Sequence, residues 1–351
     1  MFSSGAFGYL FDYLLWWVLY VSLLVHTWVF FRCFPRARLK KSALVLGNGL
    51  VFLCLLGFVA LAAESYLRFA AVWTDSFGVS LPARRWFAIH TKLNSLGCRD
   101  HEWVLPKPEG VRRIAFVGDS FTYGWGVENP ADRFTDRLQV MFDAKAKGTV
   151  EVMNVAKPGW DTSTEIQPIK DMVASFGVDE VVLCYVPNDI EKILPMLDGK
   201  NPTRPPEPKL VNLDTSCLFD FLYRRMWLPR VPTVAKYHDW LAGGFGDEAI
   251  WKRHQGDLGQ IIAACKERNV TLRVALLPFL QTSGEKYQAE RLHQTLRAFF
   301  ETNQVEVIDL LPVVAGRSAG ELVVSSIDAH PNATAHALFA EAIETAFYPR
   351  P

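Results

Sequence analysis

The sequence is poor in cysteine and has no excess of charge of either sign. Its 351 residues include six cysteines, and 37 Lys and Arg residues balance 37 Asp and Glu residues. A neutral chain lacks the basic surface that nucleic acid binding favours, so nucleic acid is not predicted as a partner. The cysteine spacing fits no metal motif, and the sequence predicts neither a metal nor a cofactor. The six are Cys33, Cys54, Cys98, Cys184, Cys217 and Cys265.

Two common enzyme motifs are also missing, and the sequence contains no internal repeats. Gly124-Trp125-Gly126 is too short for the glycine-rich fingerprint that binds dinucleotides. The nucleophile elbow Gly-x-Ser-x-Gly around Ser120 would need glycine at position 122, which is Thr122. A dinucleotide-dependent enzyme and an α/β-hydrolase are therefore not predicted.

Two long apolar runs lie near the N-terminus. Phe7 to Phe31 and Ser42 to Ala63 are each long enough to span a bilayer, which needs about 20 residues. The cationic linker between them is predicted to stay in the cytoplasm, with both ends outside. A cleaved signal peptide is the alternative, but the second run exceeds the usual signal core of about 7–15 residues. We expect an uncleaved two-helix anchor over residues 1–63. The linker cations are Arg32, Arg36, Arg38, Lys40 and Lys41.

Strand and helix patterns alternate after a connector over residues 64–111. The alternation predicts an α/β fold for residues 112–351, with a doubly wound parallel sheet of five strands. Thr162 to Glu165 predicts a capping box, and Asn332 predicts the cap of the last helix. Strand patterns fall near 112–119, 150–156, 178–186, 271–278 and 305–311, and helical patterns near 131–147, 163–176, 248–268, 285–302 and 332–347.

Residues 190–247 interrupt this alternation. The stretch begins with a Pro-rich segment, 202–208, and continues into an aromatic segment, 217–228. Loops of this length in a compact domain are usually functional or disordered, and the aromatic density favours function. We expect an insertion that forms a lid or wall beside a site. The alternatives are a helix packed on the domain and a helix on the membrane surface, with Arg224 and Arg225 towards headgroups.

Ser120 follows the apolar run 114–117 through Gly-Asp, a pattern typical of a buried strand that ends at a tight turn. A hydroxyl there lies at the C-terminal edge of a parallel sheet, where α/β folds place their chemistry. Serine becomes nucleophilic when a base takes its proton and an acid orients the base. Asp328 and His330, just ahead of the final helix, have the side chains for both roles. The sequence therefore predicts a serine hydrolase.

Three other residues compete for these roles. Asp119 and Asp189 are candidate acids, but such neighbours in turns usually hold the loop through backbone hydrogen bonds. His336 is a candidate base that falls inside a predicted helix, so a structural role is favoured for it.

Two further motifs complete an ordered set. Asn154 to Gly159 follows the second strand pattern, and Val186-Pro187-Asn188-Asp189 ends the third. With Ser120 and His330, this set resembles the SGNH (GDSL-type) hydrolase family over roughly residues 112 to 348. The stretch from Asn94 to Asp100 is similar to bacterial, membrane-anchored members. The resemblance implies a flavodoxin-like SGNH fold.

The resemblance also implies a role for each site residue. Ser120 would be the nucleophile, His330 the base and Asp328 its partner. Many members have two residues between acid and base, whereas one separates them here; the Asp-x-His-Pro-Asn form is similar to a bacterial variant. The backbone N–H groups of Ser120 and Gly159 and the amide of Asn188 would form the oxyanion hole. A turn glycine and a strand-end cap are the alternatives for Gly159 and Asn188.

The function that follows is a membrane-anchored serine esterase. The resemblance implies an ester-bearing carbohydrate or lipid as substrate, foremost the O-acetyl groups of a cell-surface or exported polysaccharide. It places the protein in the bacterial inner membrane, with the catalytic domain periplasmic or extracellular. A polysaccharide O-acetyltransferase with the same site is one alternative. A non-catalytic scaffold that binds glycan or a membrane-bound O-acyltransferase is another, and that acyltransferase is also a candidate partner of the enzyme.

Overall fold

The computed structural model describes residues 5–33, 41–197, 199, 215–231, 236–281 and 289–349. The strands are β1 (Arg112–Gly118), β2 (Val150–Ala156), β3 (Glu180–Tyr185), β4 (Thr271–Leu276), β5 (Glu306–Asp309), β6 (Val323–Ser325) and β7 (Asp328–Pro331). The helices are α1 (Gly5–Cys33), α2 (Lys41–Phe69), α3 (Leu81–His90), α4 (Ser120–Tyr123), α5 (Phe134–Ala146), α6 (Thr162–Ser175), α7 (Cys217–Leu222), α8 (Tyr237–Gly246), α9 (Glu248–Glu267), α10 (Ala289–Thr302), α11 (Leu311–Val314), α12 (Ala319–Leu322) and α13 (Ala333–Phe347).

The first five strands form a parallel sheet in the order β2-β1-β3-β4-β5. The predicted doubly wound α/β fold is thereby confirmed. The chain leaves β1 towards one edge to form β2 and then returns past it to form β3. The ends of β1 and β3 therefore flank the point at which the strand order reverses, which is where open α/β sheets bind their ligands.

Alternate residues of each strand supply two separate cores, because successive side chains point to opposite faces of a sheet. Val117 and Leu183 lie on one face, in the cluster that includes residues of α6, α9 and α10. Phe116 and Cys184 lie on the other face, with residues of α5 and α13. The central strands β1 and β3 are buried on both sides, which explains why their sequences are continuous apolar runs rather than alternating ones.

The sequence patterns locate the elements to within a few residues, with one error in capping. The box at the start of α6 lies one residue earlier than predicted. Asp161 is the N-cap, and its carboxylate accepts the N–H of Thr164 while the Thr164 hydroxyl accepts the N–H of Asp161. Thr162 is the first helical residue instead. Asn332 caps α13 as predicted, accepting the N–H groups of Thr334 and Ala335.

Contacts divide the chain into two units. The first contains the described parts of Met1–Trp73, Phe77–Arg85 and Arg204–Val231, and the second contains the rest. The sheet and both of its cores belong to the second unit. The predicted boundaries at residues 63 and 111 stay predictions, but α2 continues to Phe69 and residues 86–111 belong to the second unit.

In the first unit, α1 and α2 pack against each other as two long apolar helices. Leu10–Cys33 and Lys41–Phe69 are long and apolar enough to cross a membrane, with mean hydropathy of 1.8 and 2.5. In the most apolar 18-residue stretch of each helix, only 6% and 17% of the residues are buried, so these are not core helices of this structure. The hydroxyl groups of Tyr13 and Ser65 are 2.7 Å apart. Most of the cationic linker, residues 34–40, lies outside the described residues.

The aromatic segment of the predicted insertion belongs to this first unit. The N-terminus of its helix α7 contacts Glu64 of α2, whose buried carboxylate accepts the Ser216 hydroxyl and the N–H groups of Cys217 and Leu218. Arg68 donates to Glu64 at 2.8 Å. The segment therefore packs on α2. The Pro-rich segment, 202–208, lies outside the described residues.

Candidate active site

Ser120 lies at the first turn after β1, and the local sequence requires a tight approach there. A Cβ at Gly118 would come within 2.3 Å of the Thr122 hydroxyl oxygen, so only glycine allows the chain to fold back so closely. Asp119 is the N-cap of α4, and its carboxylate accepts the N–H of Phe121 at 2.8 Å. The turn thus presents Ser120 at the carboxyl edge of the sheet.

A small β-hairpin, β6–β7, brings the other two predicted residues to this serine. His330 Nε2 lies 2.8 Å from Ser120 Oγ, and His330 Nδ1 lies 2.6 Å from Asp328 Oδ1. All three side chains are buried. The residues form one continuous hydrogen-bonded chain of hydroxyl, imidazole and carboxylate, which is the arrangement needed for proton transfer from a nucleophile.

The charge of Asp328 fits the acid position of this chain. Its burial alone would raise the pKa of the carboxyl, but the nearby charge of His330 and the hydrogen bonds from it outweigh burial and lower that pKa. Asp328 is therefore ionised at neutral pH and can stabilise an imidazolium beside it. The single residue between acid and base allows this geometry, since Asp328 Oδ1 also accepts the backbone N–H of His330 at 3.2 Å.

Asn188 and Gly159 lie after β3 and β2, the two strands that flank β1 in the sheet. Asn188 follows β3 in a 3₁₀ turn, and its Nδ2 donates to Asp119 Oδ2 at 2.9 Å. One amide hydrogen is engaged in this bond, which fixes the orientation of the amide. Gly159 follows β2 with φ of +76°, a conformation that favours glycine, and no heavy atom lies within 4 Å of a Cβ placed there. Its surroundings leave space for a substrate to approach the backbone.

The competing acids, Asp119 and Asp189, form local hydrogen bonds in loops. Besides Phe121, Asp119 binds Asn188, while Asp189 accepts the N–H of Val186 at 3.0 Å. Burial raises the pKa of both carboxyl groups, and for Asp189 the charge of Glu165 raises it further. These two aspartates brace the turns after β1 and β3.

The competing base is a core residue. His336 is buried in α13, where its Nδ1 accepts the N–H of Phe134 at 3.2 Å and its ring stacks on that phenyl ring. Burial lowers the pKa of His336 to about 3, with nearby arginine charges acting in the same direction. Across the described ranges, no three His, Cys, Asp or Glu side chains are grouped so as to hold a metal ion.

Two residues of this neighbourhood were not predicted from the sequence. The buried guanidinium of Arg99 donates to the carbonyl oxygens of Gly124 and Val127 at 2.7 and 2.8 Å, and so holds the loop after the serine turn. The Trp125 ring stacks on His330. Both residues lie in patterns that the sequence shows, Arg99 in the stretch 94–100 and Trp125 in the Gly-Trp-Gly motif. Neither pattern reveals which side chains or carbonyl groups these two residues contact.

A series of aromatic contacts connects His330 to the last part of the predicted insertion. Phe121 contacts His330 in a T-shaped pair, with ring centroids 5.5 Å apart, and also contacts Phe279 at 6.3 Å. Phe279 in turn contacts Tyr237 and His238 at the start of α8. Tyr237 and His238 therefore lie three ring contacts from the imidazole. Whether residues 190–247 act as a lid or wall stays a prediction.

Comparisons with known proteins identify the family. The model of the GDSL-like lipase/acylhydrolase family matches residues 116–338. No curated protein matches the sequence. Similar solved structures include TesA (13% identity, TM-score 0.44, 68% of this chain and 99% of that chain). Also similar is an acetylxylan esterase from Geobacillus stearothermophilus (14% identity, TM-score 0.42, 68% of this chain and 94% of that chain). The esterase EstA from Pseudoalteromonas sp. is a third example (12% identity, TM-score 0.42, 67% of this chain and 96% of that chain).

The family model covers well over half of the chain, and it includes Ser120, Gly159, Asn188 and His330. The sheet order and the edge at which these residues lie agree with the fold expected of that family. The chain thus belongs to the GDSL-like lipase/acylhydrolase family, the SGNH hydrolases, and is a serine carboxylic ester hydrolase.

Proposed function

We propose that this ester hydrolase is anchored in a membrane and removes O-acyl groups, foremost O-acetyl groups, from a cell-surface or exported polysaccharide. The observation that carries the proposal is the buried chain of hydrogen bonds from Ser120 through His330 to Asp328. It supports an acyl-serine mechanism. The choice of a polysaccharide rests on the resemblance of residues 94–100 to membrane-anchored bacterial members.

In the proposed mechanism, Ser120 Oγ attacks the ester carbonyl while His330 Nε2 accepts the hydroxyl proton. Asp328 holds the imidazole in the tautomer that leaves Nε2 free to accept, and it stabilises the imidazolium that forms. His330 then donates the proton to the leaving alkoxide, which departs as a sugar hydroxyl. A water molecule, deprotonated by the same imidazole, attacks the acyl-serine and releases the carboxylic acid.

Negative charge on the carbonyl oxygen needs fixed donors. The backbone N–H groups of Ser120 and Gly159 and the second amide hydrogen of Asn188 are the proposed donors. Asp119 supports this role of Asn188, because a hydrogen bond to one amide hydrogen directs the other along a defined line. No side chain has to reorganise as the charge forms.

Membrane anchoring is supported by the low burial of α1 and α2 and by their length. The cationic linker favours a cytoplasmic turn between them, and so a catalytic domain outside the cytoplasm. A cleaved signal sequence is the alternative, but it accounts for one apolar helix and not for two. Periplasmic or extracellular polysaccharide is then within reach of the site.

The segment 217–230 is proposed to lie at the membrane surface. It is tied to one end of the helix pair, since Trp16 Nε1 and Arg68 Nη2 donate to the Thr215 carbonyl at 3.4 and 2.9 Å. Leu222, Met226 and Trp227 are exposed, as are Arg225 and Arg230. Exposed apolar and cationic side chains at the end of a membrane helix suit the headgroup region.

The site variants test the mechanism. Ser120→Ala and His330→Ala should each lower kcat by on the order of 10⁶-fold, and the double variant should be scarcely worse because the two act as a unit. Asp328→Asn should lower kcat less, by on the order of 10⁴-fold, and Asn188→Ala should lower it by about 10²–10³-fold. Hydrolysis of p-nitrophenyl acetate by the full-length protein measures this, with melting temperatures as the check of folding. Additive losses in the double variant would contradict a shared proton transfer.

Product analysis tests hydrolysis against transfer. With an acetyl donor and unacetylated polysaccharide, we expect acetate in solution, and with acetylated polysaccharide we expect free acetate that Ser120→Ala does not release. Mass spectrometry of the glycan and quantification of acetate measure both. Acetyl groups appearing on the added polysaccharide would favour the transferase. Unchanged cellular acetylation in Ser120→Ala would favour the scaffold.

Topology is tested by cysteine labelling in intact cells. In a Cys33→Ser background, Pro35→Cys should react with an impermeant maleimide only after permeabilisation, because the cationic linker stays inside. Lys147→Cys, an exposed position of the second unit, should react in intact cells whose outer membrane is permeable. Labelling at position 35 without permeabilisation would reverse the assigned compartment.

The membrane-surface placement is tested by photocrosslinking of the full-length protein in vesicles. Phosphatidylglycerol with a diazirine near the headgroup should label the peptide that contains Trp227. Val140 in the second unit has the same exposed fraction, 65%, and its peptide should stay unlabelled. Labelling of α1 and α2 without Trp227 would refute this placement and leave the anchor intact. Absence of labelling from α1 and α2 would refute the anchor itself.

A further inference from the structure

The base of the site is in contact with an indole ring that the mechanism above does not use. The rings of Trp125 and His330 are stacked, with centroids 4.9 Å apart and an angle of 21° between their planes. Both ring nitrogens of His330 are already engaged at its edge, by Asp328 and Ser120. Trp125 therefore acts on the face of the imidazole, which no hydrogen bond reaches.

The position of Trp125 is fixed by its neighbours. Its backbone N–H donates to the Ser120 carbonyl at 3.1 Å, which ties it to the nucleophile turn. Its indole N–H donates to the Asp75 carbonyl at 3.2 Å, and Phe87 packs against it edge-on at 4.6 Å. The side chain is only 8% exposed. Because both the backbone and the ring of Trp125 are held, the ring cannot easily rotate away from the imidazole.

The glycines on either side explain why the tryptophan fits. Gly124 ends α4 in the left-handed conformation, with φ of +75°. Gly126 has φ of +79°, and a Cβ there would lie 2.4 Å from Val324, in the hairpin that carries His330. The Gly-Trp-Gly motif thus brings the serine turn and the histidine hairpin together, with the indole between them.

We propose that Trp125 is a positioning residue that holds the His330 ring in plane and stabilises its protonated form through a cation–π interaction. The inference rests on the proposed acyl-serine function. When His330 takes the Ser120 proton it becomes a cation, and the electron-rich face of an indole attracts a cation more than it attracts a neutral ring. The interaction is therefore stronger in the transition state than in the resting enzyme, which is the condition for a gain in kcat.

Other ionisable groups also act on this imidazole. Asp328 lies beside it, Asp119 is the cap of the serine turn, and His336 belongs to the helix that follows the hairpin. All three are unchanged in a Trp125 variant, so a difference between variants reports the indole.

The experiment compares Trp125→Leu with Trp125→Phe in the full-length enzyme, with p-nitrophenyl acetate as substrate. Trp125→Leu keeps apolar bulk but has no π face, and kcat should fall about 5- to 30-fold with little change in KM. Because the protonated imidazole loses stabilisation, the acidic limb of the kcat/KM profile should move to lower pH. Trp125→Phe restores an aromatic face and should recover most of kcat and of the pH profile.

Trp103→Leu is the matched control. Trp103 is also 8% exposed, and its indole N–H donates to the Asp100 carboxylate at 3.0 Å. This substitution should lower the melting temperature without shifting the pH profile. A Trp125→Leu enzyme with the same profile as its parent and only a lower melting temperature would overturn the inference. Absence of wild-type turnover would instead overturn the proposed function, and this inference with it.

Discussion

The hydrogen bond between Asp328 and His330 is the interaction on which the rest of the site depends. The charge of His330 and this hydrogen bond together lower the pKa of the Asp328 carboxyl, which burial alone would raise. A buried charge of this kind is tolerated only when it is paired. The hairpin that carries both residues is fixed by hydrogen bonds from Asn332. Asn332 donates its side-chain amide to the carbonyl groups of Glu321 and Val323 and caps α13 from the same position.

The sheet brings residues that are far apart in the sequence close together in space. Ser120 and His330 are 210 positions apart, yet Ser120 Oγ and His330 Nε2 lie 2.8 Å from each other. The order β2-β1-β3 places the turns after three successive strands along one edge. Each of these turns contributes one element: Ser120 after β1, Gly159 after β2 and Asn188 after β3. The Asn188–Asp119 hydrogen bond then links the first turn to the third.

Much of this arrangement could be predicted because it depends on local patterns. Apolar runs bounded by turn residues predict the five strands. Gly-Asp-Ser and Asn188 mark the turns after two of these strands, and Asp-x-His marks the residues just ahead of the last helix. The cap of α13 was correct for the same reason, since Asn332 bonds to residues two and three positions later. The cap of α6 was wrong by one residue, because Asp161 and Thr162 are both good caps and only the backbone conformation distinguishes them.

The contacts that could not be predicted all join distant segments. Trp125 meets His330 across 205 positions, and Arg99 reaches the loop after Ser120 from the stretch 94–100, whose contacts the sequence did not indicate. Likewise, Glu64 caps α7 from the end of an apolar helix. Patterns of hydrophobicity and turn residues contain no information on which side chains meet in this way. The predicted fold was therefore more complete than the predicted surroundings of the base.

The most direct test of the account is the reaction of the folded, full-length protein with a fluorophosphonate, followed by peptide mass spectrometry. A phosphonylated Ser120 in the wild type, with no label in Ser120→Ala and little in His330→Ala, is the result that the hydrogen-bonded chain predicts. Folded wild-type protein that stays unlabelled, or that carries the label on another serine while Ser120 is unmodified, would contradict it.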